Sequence, residues 1–395
     1  MRIALVSQEY PPETAKGGLG TQTHIKAHGL AALGHQVHVI SRSVTRQKIV
    51  RQDGDVTVTR IPGADARFGI HTSIADWITY ATEVASAIEE IHRQTALDLV
   101  DVPEWAAEGS VHLLNRTEWN AIPTVVQLHG PLIMFARTMG WPEIDSEFFR
   151  VGTALEGATL RLADGIYASS GCSADWCARE YGLDRARIPV LHTGIDTALF
   201  SPRAVPPAKR PTIVFAGKLV RNKGVPLLVE ACGRLARDFP DLQLRVLGKG
   251  EPRITAELRA AAAKFSSNDF LDMPGFVPRE ELPEHFSRAH LFAAPSQYEG
   301  GPGFVYLEAM ACGLPVVACA GSGAAEVVRD GGNGLLVPPQ DVEALTAALR
   351  RLLSEPEWRT ALGAQAREFV LGEADSRICL KKIEAFYQTI VHPRA

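Results

Sequence analysis

The chain has 395 residues, 46% of them hydrophobic and 22% charged, with a formal net charge of −4. That length is too great for one ordinary core and suits two or three domains of a globular protein. The slightly acidic balance argues against whole-molecule attraction to nucleic acid, so any anion site must be local.

The N-terminal "RIALVSQ" reads as a strand; its apolar run "IALV" is too short for a signal peptide, and no small-residue cleavage site follows. "TQTHIKAHGLAALG" reads as a helix stopped by Gly34, and "HQVHVIS" as the next strand. "KIVRQ" and "VTVTRIP" flank Asp53-Gly54-Asp55, where Asp-Gly is a hairpin-turn signal. "LDLVDVP", "TVVQLHG" and "GIYASS" continue the strands, with helical segments between them. Residues 196–210, Pro-rich, basic and without periodicity, read as a linker. The alternation then restarts with "TIVFAG", "LQLRVLG", "FLDMPGF", "LFAAPS", "LPVVACA" and "GLLVPP". Parallel sheets covered by helices on both faces follow from this pattern. The expected organisation is a Rossmann-like domain over 1–195, the linker, and a second Rossmann-like domain over 211–375. The amphipathic helix within 376–395 is expected to pack back on the first domain. Cys172, Cys177, Cys232, Cys312, Cys319 and Cys379 are irregularly spaced without a C-x-x-C pattern, so reduced buried thiols are expected and not a zinc site or disulfide framework. No stretch approaches the ~18 apolar residues of a membrane span. The expected compartment is the cytoplasm, with peripheral membrane contact left open.

Two motifs carry chemistry. "KLVRNKG" places Lys218, Arg221 and Lys223 where the chain leaves a strand. "YEGGPGFVYLEAMACGLPVVA" has Gly300, Gly301 and Gly303 at a strand-to-helix turn, flanked by Glu299 and Glu308. Glycines there allow close backbone approach to a ligand, and free N–H groups at a helix start favour an anion. Glu308 lies in an apolar helix, where a carboxylate is costly unless paired or bound to hydroxyls.

"EGGPGFVYLEAMACGLPVVA" resembles the donor-site signature of family 4 glycosyltransferases. The resemblance implies an α/β, GT-B architecture: two Rossmann-like domains with parallel sheets facing an interdomain cleft. It puts Glu299 on the sugar hydroxyls and Glu308 on the ribose of the nucleotide. Eight residues separate these glutamates where the family typically has seven, the extra one lying in "GGPG". "FAGKLVRNKGVPLLVEA" is similar to the family's diphosphate-binding element, which gives that role to Lys218 and Lys223 and leaves Arg221 on the surface. Lys218 stands where the family often has Arg, so the charge is kept but not the bidentate fork. "VLGKGE" and "PGFVPREEL" resemble the strand ends around the nucleobase, which places Gly248, Phe276 and Val277 there. The turn residues Gly300, Gly301, Gly303 and Phe304 belong to the same donor site.

"PPETAKGGLGTQTHIKAHG" resembles the family's Gly-rich first loop, with Gly17, Gly18 and Gly20 beside the diphosphate and transferred sugar. A dinucleotide fingerprint is rejected because Thr23 stands at its third glycine position. Lys16 reads either as a cleft residue or as a plain surface lysine. His129 resembles the family's cleft histidine, near the reacting carbon. Asp101, Glu104 and Trp105 in "DVPEWAAEG" read as acceptor contacts, with core packing of Trp105 equally open.

The implied activity is glycosyl transfer from a nucleotide-diphosphate sugar to an acceptor hydroxyl with retained anomeric configuration. The implied catalytic set is Lys218, Lys223, Glu299 and His129. No cofactor and no metal are expected, because lysines can neutralise the leaving diphosphate and Asp53-x-Asp55 reads as a hairpin. A nucleotide-sugar epimerase of the same fold and a non-catalytic nucleotide-sugar-binding protein are the alternatives. The partners are the donor and a small-molecule, glycan or lipid-linked acceptor; oligomeric state, nucleobase, sugar and acceptor carry no signal.

Overall fold

The computed structural model describes residues 1–14, 18–45, 47–63, 70–265 and 270–392. The chain divides into two units, one of Met1–Thr193 with Ser376–Ala395, the other of Gly194–Asp375.

In the first unit the strands are β1 (Arg2–Val6), β2 (Gln36–Arg42), β3 (Ile49–Asp53), β4 (Val56–Ile61), β5 (Leu99–Pro103), β6 (Thr124–Leu128) and β7 (Gly165–Ala168). They form one sheet in the order β3-β4-β2-β1-β5-β6-β7, parallel except where β3 meets β4. Every residue of β5 and β6 is buried, as expected of strands covered on both faces. The helices are α1 (Gly18–Ala32), α2 (Ser73–Gln94), α3 (Ser110–Leu114), α4 (Leu132–Met139), α5 (Glu147–Leu162) and α6 (Gly171–Tyr181). Thr72, Ser146 and Ser170 cap α2, α5 and α6 by accepting the amides of Ala75, Phe149 and Ser173. Gly140 and Gly182, both left-handed, stop α4 and α6. The C-terminal helix Ser376–Val391 packs Leu380, Ile383 and Tyr387 into the same core as Ile3, Leu5 and Ala27. Gly29 permits this: a Cβ there would lie 2.0 Å from Leu380 Cδ1.

In the second unit β8 (Thr212–Ala216), β9 (Gln243–Leu247), β10 (Leu271–Gly275), β11 (Leu291–Ala294), β12 (Val316–Cys319) and β13 (Gly334–Val337) form a parallel sheet, ordered β10-β9-β8-β11-β12-β13. Around it lie α7 (Val225–Leu235), α8 (Pro252–Ala262), α9 (Leu282–Arg288), α10 (Phe304–Ala311), α11 (Val342–Ser354) and α12 (Pro356–Phe369).

Residues 196–210, expected as a linker, are not a free connector. Their first part is built into the second unit: the Thr197 hydroxyl bonds Asp375 and Phe200 is fully buried, directly after Ile195, whose amide donates to Ala374 O at 2.9 Å. Burying one phenylalanine outweighs the loop-like composition around it. None of the six cysteines is in a disulfide, and all but Cys172 are buried. Among the described residues, no helix is long and apolar enough to cross a membrane.

Candidate functional site

In the second sheet, successive strands step outward from β8 in one direction and from β11 in the other, so these neighbours flank the topological switch point. Ligands of open α/β sheets bind outside the carboxyl ends of strands at such a point. The loops leaving β8 and β11 carry the residues in question. They are held together by main chain: the Gln297 amide donates to Asn222 O at 2.9 Å, and Ser296 Oγ donates to the same oxygen at 3.3 Å. Gly224 is required between them, because its φ is +73° and a Cβ would sit 2.1 Å from Pro295 O. This close approach sets Lys223 against Glu299, with Nζ 2.6 Å from Oε1 and both side chains largely covered. Lys218 is exposed at the same strand end. Arg221 turns away to Glu257 on α8, at 2.5 Å, and is mostly in solvent.

Beyond Glu299 the turn through Gly300, Gly301 and Gly303 is packed by backbone. The Gly323 amide donates to Glu299 O at 2.9 Å, and a Cβ at Gly323 would lie 2.2 Å from Gly301 O. Gly303 is left-handed at φ +70° and starts α10, whose first residue is Phe304. The turn thus absorbs its extra residue before the helix begins. Glu308, buried on α10, receives Arg279 Nε at 2.9 Å and Nη2 at 2.6 Å, both on Oε1. Burial raises its pKa while Arg279 opposes the rise. No hydrogen bond from a described residue reaches its Oε2. Arg279, from the loop after β10, also lies 4.8 Å over the Phe200 ring. At the neighbouring strand ends, Gly248 packs against Gly217 O, Phe276 is 63% exposed with Lys249 Nζ 5.7 Å over its ring, and Val277 rests on the core.

In the first unit His129 follows β6. Its amide and that of Gly130 donate to Glu104 Oε1 at 2.6 and 2.5 Å. Glu104 is fully buried, and its Oε2 has no hydrogen-bond partner among the described residues. Burial pushes its carboxyl up to about 7, against the pull of those amides. Burial, helped by the Lys26 charge, pushes the His129 imidazole down to about 3, so it is neutral near pH 7. The backbone between is strained: Ala106 and Ala107 have φ of +59° and +48°. Trp105 packs against Trp77, Phe135 and Trp141 at centroid distances of 5.9, 5.3 and 6.4 Å.

Asp101 needs correction as an acceptor contact. It is buried mid-strand, and its Oδ2 takes Lys26 Nζ at 2.7 Å, the Tyr167 hydroxyl at 2.6 Å and the Tyr387 hydroxyl. A carboxylate so enclosed has no face left for a sugar. Gly18 and Gly20 open α1, and the Gly20 amide donates to Glu9 Oε2 at 3.2 Å. Lys16 and Gly17 lie outside the described residues. Asp53 and Val56 pair across the hairpin, with Gly54 left-handed at φ +57°.

Sequence reasoning missed Arg279, the partner that stabilises Glu308; the demand for a partner was readable, its identity across the fold was not. It also missed Glu156, which accepts the Leu132 amide at the start of α4 and the Tyr181 hydroxyl at 2.7 Å.

Two family models match the chain in succession: Glycosyltransferase Family 4 over residues 16–199 and Glycosyl transferases group 1 over 198–369. The chain is 30% identical over 403 residues to an alpha-maltose-1-phosphate synthase of Mycolicibacterium smegmatis, covering 94% of this chain and 95% of the relative. A GDP-mannose-dependent alpha-(1-6)-phosphatidylinositol monomannoside mannosyltransferase of the same organism is 36% identical over 201 residues, 47% of this chain and 52% of that one. Among solved structures, sucrose-phosphate synthase of Thermosynechococcus elongatus superposes with a TM-score of 0.81 at 25% identity, covering 98% of both chains. With two parallel-sheet units of GT-B type and these relatives, the chain is a glycosyltransferase and belongs to family 4, the group 1 glycosyl transferases.

Proposed function

We propose that the protein transfers a glycosyl unit from a nucleoside-diphosphate sugar to an acceptor hydroxyl, with retention and without a metal at the transfer step. The observation that carries the reading is the Lys223–Glu299 pair, held at 2.6 Å beside exposed Lys218 where β8 and β11 end. Lys218 and Lys223 neutralise charge growing on the leaving diphosphate. Glu299 and the amides of 300–304 orient the sugar, and the free oxygen of Glu308 takes a ribose hydroxyl. The acceptor oxygen bonds the anomeric carbon, the nucleoside diphosphate leaves with the bonding pair, and the hydroxyl proton is released. A fixed charge aimed at developing charge is worth a few kcal/mol, or ~10²–10³ in rate. His129, neutral and anchored through its amide, contacts the sugar as a hydrogen-bonding group and not as nucleophile. Trp105 remains the acceptor-side residue in this reading; Asp101 and Glu104, whose carboxylates are both enclosed, leave it, Glu104 acting through the His129 and Gly130 amides it holds. Gly18, the first residue of α1, leaves room for a ligand, since an added Cβ there would meet nothing within 4 Å.

Retention rests on family membership, and the GDP-mannose dependence in the name of one relative supports a nucleoside-diphosphate donor. The cytoplasm, where such donors are made, is the proposed compartment. The test is a thermal-shift screen with UDP, GDP and ADP, followed by incubation of the stabilising nucleotide's sugars with and without acceptors, in EDTA. One nucleotide should raise the apparent melting temperature by mass action, and its sugar should yield a glycoside only when acceptor is present. Isomerised donor without acceptor, or turnover abolished by EDTA and restored by Mg²⁺ but not by Zn²⁺, would overturn the reading.

A further inference from the structure

Among the described residues, one group of side chains has the composition of a metal site: His24, His28 and Asp53. His24 and His28 are four apart on α1 and so share a helix face, with ring centroids 4.3 Å apart. Asp53 ends β3, and the two-residue turn that follows fixes where its carboxylate points. Its Oδ2 lies 3.1 Å from His28 Nε2 and 3.8 Å from His24 Nε2, and one ligand atom from each residue lies within 4.8 Å of the others. The three side chains are 33–41% exposed, so an ion can reach them from solvent.

We propose that His24, His28 and Asp53 bind a divalent transition-metal ion of the Zn²⁺ type, with water completing the coordination. A tetrahedral ion with ligands at about 2.1 Å puts neighbouring ligand atoms about 3.4 Å apart. The two distances to Asp53 bracket that value, so small rotamer changes close the site around an ion. Two imidazoles with one carboxylate suit Zn²⁺, Co²⁺ or Ni²⁺, whereas Mg²⁺ and Ca²⁺ prefer oxygen ligands. The carboxylate also has an outer partner: the buried Tyr10 hydroxyl donates to Asp53 Oδ2 at 2.8 Å, the kind of contact that orients a ligating group. Tyr10 is in turn fixed by Arg60, whose Nη2 donates to Tyr10 O at 2.9 Å. An ion here would pin the β3–β4 hairpin to α1, the helix that Gly18 and Gly20 open. Its role is that of a structural clamp, independent of the transfer chemistry proposed above.

The test is titration of metal-free protein with Co²⁺, read by the visible absorption of the four-coordinate ion, and with Zn²⁺ against a chromophoric chelator. Wild type should bind one equivalent, with Mg²⁺ unable to compete, and Zn²⁺ should raise the apparent melting temperature. His28→Ala should abolish the Co²⁺ spectrum. His24→Gln, a milder change at a partly exposed position, should weaken binding at least tenfold and keeps the test open if His28→Ala fails to fold. Tyr10→Phe should weaken it by about tenfold. His392→Ala should change nothing. Wild type that takes up no more Co²⁺ than His24→Gln, or a one-equivalent site that survives in His28→Ala, would overturn the proposal.

Discussion

Replacing Glu104 by Gln isolates the electrostatics beneath His129. In the wild type Oε1 accepts two amides, while Oε2 is buried without a partner among the described residues. Burial lifts the carboxyl from an ordinary 4.5 to about 7. A folded-state pKa above the unfolded one means the folded chain holds the extra proton. The stability this group contributes is therefore full below about pH 4.5, is lost as pH rises toward 7, and stays lost above. At ~1.4 kcal/mol per pH unit, the loss is about 3 kcal/mol. Gln keeps the acceptor oxygen for both amides but has nothing to ionise. At pH 5 the apparent melting temperatures should agree within a few degrees. At pH 8 the variant should be higher by roughly 6–12 °C, taking ~2–4 °C per kcal/mol for a unit of this size. Glu108 and Glu156, both raised to about 8 by burial, lie close enough to repel Glu104, so the variant keeps a shallower slope of the same sign. Scanning calorimetry at pH 5, 6, 7 and 8 measures this. Parallel profiles for the two proteins would refute the assignment of a buried, neutral-leaning carboxyl.

Asp101→Asn should destabilise the first unit by ~3–5 kcal/mol, since it leaves Lys26 buried without its counter-charge. Denaturant unfolding should show that loss, with acceptor KM unchanged in the folded fraction; a selective rise in KM would restore Asp101 to the acceptor side. Gly224→Ala should cost ~1–3 kcal/mol from the left-handed φ, with more from the Pro295 clash, and should lower kcat/KM by displacing Lys223. Unchanged melting temperature and unchanged turnover would show that the two loops are not coupled as described.

How much was legible in the chain depends on the range of each signal. Local signals read true: Asp53-Gly54 makes the hairpin, Gly34 follows the end of α1, and Arg221 faces solvent. The strand–helix alternation gave both parallel sheets because burial on two faces leaves a continuous apolar run in each strand. Partnerships across the fold were not readable. Asp101 sits at an inviting place in "LDLVDVP", yet Lys26 from α1 and Tyr387 from the C-terminal helix enclose it. Nothing near Glu308 in the chain names Arg279, and Phe200 hides its burial in a Pro-rich segment. His24 and His28 read as ordinary helix positions until the hairpin brings Asp53 to them.

In the proposed reading the two lysines of the loop after β8, Lys218 and Lys223, grip a diphosphate, with Glu299 of the loop after β11 beside them. Isothermal titration of nucleoside, nucleoside monophosphate and nucleoside diphosphate into wild type, Lys218→Ala and Lys223→Ala measures that grip. Each substitution should weaken diphosphate binding about tenfold or more while leaving nucleoside binding unchanged. Equal diphosphate affinity in all three proteins would contradict it.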